Sequence, residues 1–197
     1  MTTWVENPRG GRDRGPRGIA RAWIEVIVRP RRFFENGVAP GDQAPGLVFA
    51  VVMAVGYTLL LAVLDPLRFP ASGALRAGVV VLLVALLVAP AALHLLAALQ
   101  TLCLMVAVRD RGGVSETVQV LAYATAPGPL AAVPVPELRV VCCLYGAGLL
   151  VVGLATIHRT TTGRAALAAA LPVVLLFGYG FGGVDALFAL LRAWYII

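Results

Sequence analysis

The chain contains no lysine: all 16 of its basic residues are arginine, a bias that points to a GC-rich genome rather than to a site. Charge of either sign is scarce. Charged residues make up 13% of the 197, where a soluble domain carries about 25%. The missing charge has gone from the middle and C-terminal parts. No acidic or basic side chain lies between Ala44 and Leu64, and His94 is the only one between Ala77 and Val108. Apolar runs of about 20 residues are long enough to cross a ~30 Å hydrocarbon core as helices. These runs exclude a water-soluble globule and predict an all-α, polytopic transmembrane bundle.

Other absences narrow the chemistry. Cys103, Cys142 and Cys143 lack CxxC spacing, and the adjacent pair is poorly placed to bridge, so all three read as small apolar fillers. With two histidines there is no credible zinc or haem ligand set. Neither HExxH, Gly-x-Ser-x-Gly nor a carboxylate pair occurs, so the expectation is no cofactor and no enzyme activity. The "GYGFGG" stretch at 178–183 follows no strand and does not read as a nucleotide loop. The formal charge is +6, yet eight arginines precede residue 33. That basicity suits topology and anionic-lipid contact. It comes without the folded basic surface or motif that nucleic-acid binding requires.

Residues 1–17, rich in Gly, Arg and Pro, are expected to be a disordered tail. They contain no apolar signal-peptide core, so the first span would serve as its own insertion signal. Residues 18–36 differ. On a helical wheel Ile19, Trp23, Val26, Ile27, Phe33 and Phe34 fall within about 120°, with Arg21, Glu25, Arg29 and Arg32 opposite. This predicts an amphipathic helix lying in the membrane interface, kinked or divided at Pro30 because proline lacks the N–H and clashes with the preceding turn. Trp23, Pro30, Phe33 and Phe34 are the expected anchor, with the phenylalanines among the acyl chains. Packing of this face on protein is the alternative.

The membrane domain is expected over 44–197, with five spans at 46–64, 74–108, 114–133, 138–157 and 165–191. The 74–108 run would be about 52 Å long as a helix, so it is either one long kinked helix or a short hairpin about Pro90. A single crossing places twelve arginines on the N-terminal side and leaves Arg68, Arg76, Arg139 and Arg192 on the other. The positive-inside rule favours that arrangement, with the N-terminus cytoplasmic, the C-terminus outside and the plasma membrane as host. In the third span Ser115 can cap the helix and Glu116 suits its dipole. Glu116, Gln119, Tyr123 and Pro127 share a face that should turn toward other helices.

Three segments carry a resemblance. "VRPRRFFENG" (28–37) resembles the P-x-x-F-F entry segment of the Yip1 family of small five-span membrane proteins. "DRGGVSETVQVLAYATAPGPLAAVPV" (110–135) is similar to that family's central pattern, with a Gly-Gly loop, an Ala-Tyr-Ala step and a mid-span proline. "LATIHRTTTGRAALAAALP" (154–172) resembles its loop between the fourth and fifth spans. The likeness covers about residues 19–190, and the lysine-free composition fits a prokaryotic member, a haloarchaeal one among the candidates. It implies a non-enzymatic scaffold that organises membrane or recruits partners, eukaryotic relatives being associated with Rab-type GTPases. A membrane or GTPase-like partner is therefore expected, and homo-oligomerisation stays open.

Intramembrane polar groups are functional candidates by default. Here they are His94, Gln100 and Asp185. His94 has no carboxylate or thiol three or four residues away, so a neutral imidazole bonded to a neighbouring helix is expected. Asp185 should pair with Arg192 or with another helix. The loop Arg109, Arg111, Gly112, Gly113 could offer backbone N–H groups and charge to a lipid phosphate. His158 is expected in solvent or at headgroups. The competing function is a small transporter or channel subunit built on helices broken at Pro90, Pro127 and Pro172.

Overall fold

The computed structural model describes residues 15–71, 73–109 and 111–196, which form helices and turns and no strand. Residues 1–14 of the expected tail lie outside the described residues, whereas Pro16 and Arg17 already belong to a helix. The order is α1 (Pro16–Val28), α2 (Pro30–Gly37), α3 (Ala44–Leu64), α4 (Ala74–Leu83), a π-helical stretch (Val84–Val88), α5 (Ala89–Ala107), α6 (Val114–Ala124), a 3-10 turn (Gly128–Ala132), α7 (Pro136–Ile157), α8 (Thr162–Val173), a second π-helical stretch (Val174–Gly180) and α9 (Gly183–Ala193).

Four helices are long and apolar enough to cross a membrane: Ala44–Leu64, Ala74–Ala107, Pro136–Ile157 and Thr162–Gly180. The 74–108 run is thus one continuous helix, not a hairpin. Its π-helical widening at Val84–Val88 precedes Pro90, where the ring displaces a normal backbone bond. Only 6% of its most apolar window is buried. Leu82, Leu86, Leu95 and Val106 all face outward, as expected where the surroundings are lipid rather than water.

The expected spans at 114–133 and 165–191 are not single helices. The first is the 11-residue α6, then a break at Thr125–Pro127, then the 3-10 turn. Every residue from Thr117 to Gly128 is buried, enclosed by α3, α5 and α7. Its two ends lie at opposite ends of the bundle: Gly112 bonds the end of α7 at His158, and Pro134 lines a cavity with Asp65 just beyond α3. The second is interrupted at Phe181–Gly182, where Gly182 adopts φ 71°, a left-handed conformation that costs glycine no steric penalty.

At four places a backbone carbonyl that lacks a helical partner is met by a side chain. Pro30 splits the N-terminal helix, and the Tyr145 hydroxyl donates to the Ile27 carbonyl. At the centre of the bundle Trp23 Nε1 donates to the Ala126 carbonyl at 2.7 Å. Arg139 Nε donates to Ala131 O at 2.7 Å. Pro172 has no N–H for the carbonyl of Ala168, which Gln100 Nε2 reaches across from α5 at 3.0 Å.

Replacing Gln100 by Leu removes the group that satisfies Ala168 O within apolar surroundings. The loss should cost about 1–2 kcal/mol and lower the thermal midpoint in detergent. The same substitution in a Pro172→Ala background, where residue 172 supplies its own N–H, should cost markedly less. Equal costs in the two backgrounds would show that Gln100 does not act through that carbonyl.

Candidate functional site at the N-terminal end of the bundle

The apolar face of the N-terminal segment meets protein. Phe33 and Phe34 are both 0% exposed, which overturns their expected place among acyl chains. Phe33 packs edge-on against Tyr123 of α6, centroids 4.8 Å apart, and Phe49 of α3 approaches the same ring at 5.2 Å. Edge-to-face geometry sets the positive ring edge on the negative face of its neighbour. Phe34 rests in a notch at Gly153 of α7. A Cβ at that glycine would lie 2.9 Å from the Phe34 ring and 2.6 Å from Val120. Ala22 and Val26 of α1 are likewise 0% exposed, and Trp23 is half-buried with its indole N–H committed to Ala126.

The connector after α2 is held by one side chain. Gln119 accepts from the Ala39 N–H at 3.1 Å and donates to the Ala39 carbonyl at 2.7 Å. Of the expected face, Gln119, Tyr123 and Pro127 are buried, whereas Glu116 is half-buried and borders a cavity. Arg17, Arg29, Arg31 and Arg32 stay on the outer surface, Arg31 pairing with Glu35 at 3.2 Å.

Beside this clamp lies the Gly-Gly loop. Arg109 and Arg111 are exposed, while Asp110 lies outside the described residues. The helix after the loop starts with Gly113 at its N-cap and no side-chain cap. Ser115 sits two residues past the cap position, inside the first turn, and does not serve as that cap. Glu116 does fall in the first turn. The Gly112 N–H does not await a phosphate, because it donates to His158 Nδ1 at 3.0 Å.

His158 is 1% exposed, not solvated. Since Nδ1 accepts, the imidazole is neutral with its proton on Nε2, facing Thr117 Oγ1 at 3.4 Å. That hydroxyl in turn donates to Gly113 O. Burial pushes the His158 pKa below its ordinary value; Glu116 opposes this and Arg111 reinforces it. His158, Gly112, Arg111, Glu116 and Arg159 line a cavity of about 700 Å³.

The intramembrane candidates do not converge. His94 is exposed and bonds Pro90 O of its own helix at 2.8 Å, not a neighbouring helix. Gln100 is fully buried and serves α8. Asp185 pairs with Arg68 at 3.6 Å rather than with Arg192. The three cysteines are free thiols, and no metal-sized group of His, Cys, Asp or Glu occurs among the described residues. Arg139, 3% exposed, carries no expectation from composition. Its register does: it shares a helical face with Cys143, Gly146, Leu150 and Gly153, all buried.

The latch on Gly112 works only with neutral imidazole. A histidine whose folded-state pKa lies below its unfolded value of 6.5 contributes stability above that value and loses it as pH falls toward the folded pKa. The thermal midpoint in detergent should therefore drop between about pH 7.5 and 5.5. His158→Gln, which keeps an acceptor but cannot be protonated, should flatten that part of the profile. An unchanged slope in the variant would assign the effect to another group.

Comparison with known proteins agrees with this architecture. The family model described as the Yip1 domain matches residues 24–184, which include the Phe33–Phe34 clamp, the Gly-Gly loop and the broken central segment. No curated protein and no solved structure gives a match. A match of this extent, over most of the 197 residues, places this multi-pass membrane protein in the Yip1 domain family.

Proposed function

We propose that the protein is a non-enzymatic membrane scaffold, with a docking platform formed by α1 and α2 at the N-terminal end of the bundle. The observation that carries this reading is the clamp: Phe33 and Phe34, fully buried against Tyr123 and Gly153, fix the helix pair to the bundle. A platform fixed in this way presents a constant surface. Exposed Arg17, Arg29, Arg31 and Arg32 on α1, α2 and their junction, with Arg109 and Arg111 nearby in sequence to α6, suit anionic headgroups, each worth about 1 kcal/mol near such a surface. They also suit an acidic face on a membrane or GTPase-like protein partner. The same arginine distribution supports a cytoplasmic N-terminus, an outside C-terminus and residence in the plasma membrane.

The transporter reading has less to stand on. Broken helices build solute sites when their freed backbone groups line a watery cavity. Here the carbonyls of Ala126 and Ala168 are taken by Trp23 and Gln100.

Two measurements test the proposal. With the native cysteines replaced, Arg111→Cys should react with a membrane-impermeant thiol reagent only after cells are opened; labelling in intact cells would reverse the orientation. Cross-linking in native membranes followed by purification should recover a reproducible partner. The triple variant Arg29→Gln, Arg31→Gln, Arg32→Gln should lose that partner about tenfold at an unchanged thermal midpoint. An unchanged partner set, or a partner-free monomer from the native chain, would remove the docking role.

A further inference from the structure

The end of the bundle opposite α1 and α2 holds a second set of charges. Arg139 is buried, yet only its Nε is hydrogen-bonded; one terminal guanidinium nitrogen has no hydrogen-bond partner among the described residues. The nearest carboxylate, Asp65, lies 3.9 Å from that nitrogen, beyond hydrogen-bonding distance. A buried cation is costly unless its donors are met. Arg139, Asp65 and Arg68 line a cavity of about 180 Å³. Asp185 extends the cluster through its 3.6 Å contact with Arg68. The four groups comprise two cations and two anions, each pair held slightly apart.

A second cavity, of about 250 Å³, opens among the membrane-spanning segments. Its walls are mostly apolar, including Ala54, Leu93, Leu121 and Phe181, with Tyr57, Thr58 and Thr125 as polar exceptions. The two cavities stack along α3. Thr58 and Asp65 are seven residues apart, hence on one helical face and roughly 10 Å distant. They adjoin at the break before α9: a Cβ on Gly182 would lie 3.6 Å from Arg139 Cδ and 3.8 Å from the Tyr57 hydroxyl.

We propose that the two cavities are one binding site for a zwitterionic glycerophospholipid bearing a primary ammonium. The phosphate sits against Arg139 and Arg68 and supplies the acceptor that Arg139 lacks. The ammonium donates to Asp65 and Asp185. One acyl chain fills the apolar cavity between α3, the first π-helical stretch and α6. A purely anionic headgroup would meet two carboxylates, and a quaternary ammonium has no proton to donate to them. The site is independent of the scaffold role, since it uses no residue of the N-terminal platform.

Native mass spectrometry of the intact protein tests this. Phosphatidylethanolamine, phosphatidylcholine, phosphatidylglycerol and diacylglycerol of identical chains would be supplied at equal concentration. The ethanolamine lipid should be retained about tenfold over each of the others, the worth of one charge-assisted contact. Asp185→Asn and Arg68→Gln, both on partly exposed residues, should abolish the preference without changing the thermal midpoint. Ala54→Phe should reduce retention of all four lipids by occupying the apolar cavity. Equal retention of the four lipids, preference for the glycerol headgroup, or a preference that survives both charge substitutions would overturn the proposal. Unchanged retention in Ala54→Phe would overturn the acyl-chain half of it.

Discussion

Within a bilayer a backbone carbonyl that loses its helical partner finds no water to replace it. This chain breaks its helices at Pro30, Pro127 and Pro134 and loses a backbone hydrogen bond at Pro172 inside a continuous helix, and so creates that problem several times over. It resolves it with long polar side chains from elsewhere in the sequence. Tyr145, Trp23, Arg139 and Gln100 each reach a freed carbonyl. Three of these bonds join elements more than 60 residues apart, so the caps are also cross-braces. The breaks and the tertiary fold therefore depend on one another. A straightened helix would leave its capping side chain without a partner, and a lost cap would leave a bare carbonyl.

The central segment illustrates the trade. A continuous α-helix at 114–133 would present one fixed set of faces. The broken form instead narrows to a 3-10 turn beside α3, lets Tyr123 meet aromatic rings from α2 and α3, and hands Ala126 O to α1. The N-terminal helices are in this way extensions of the core. They fill the space that the break opens, and their charged side remains outside.

Much of this was legible in residue order. The scarcity of charge announced the membrane, Pro30 and Pro127 marked two of the breaks, and Gln119, Tyr123 and Pro127 are buried as their spacing suggested, though their neighbours on every side of α6 are buried too. The destination of Phe33 and Phe34 was not legible, for a physical reason. An apolar arc on a helix is satisfied equally by acyl chains and by protein, and periodicity does not distinguish them. The deciding residues are Gly153, more than a hundred positions away, and Gly37, whose Cβ would crowd Phe33. His158 was misplaced for a similar reason: a polar residue at a span end reads as solvated unless a distant N–H needs it. Arg139 could have been found, because a lone cation in register with Gly146 and Gly153 lies on the side of the helix that packs.

The uninterrupted helix Ala74–Ala107 has a consequence for its host. Its 34 residues extend about 51 Å, against a hydrocarbon slab of about 30 Å. Apart from Arg76 near its start and His94 further along, it offers lipid an unbroken greasy flank. Such excess length is absorbed by leaning over or by stretching nearby lipids, at a fraction of a kcal/mol per Å of mismatch. The helix thus acts as a gauge of membrane thickness, and a sheet that thickens would let it stand more upright.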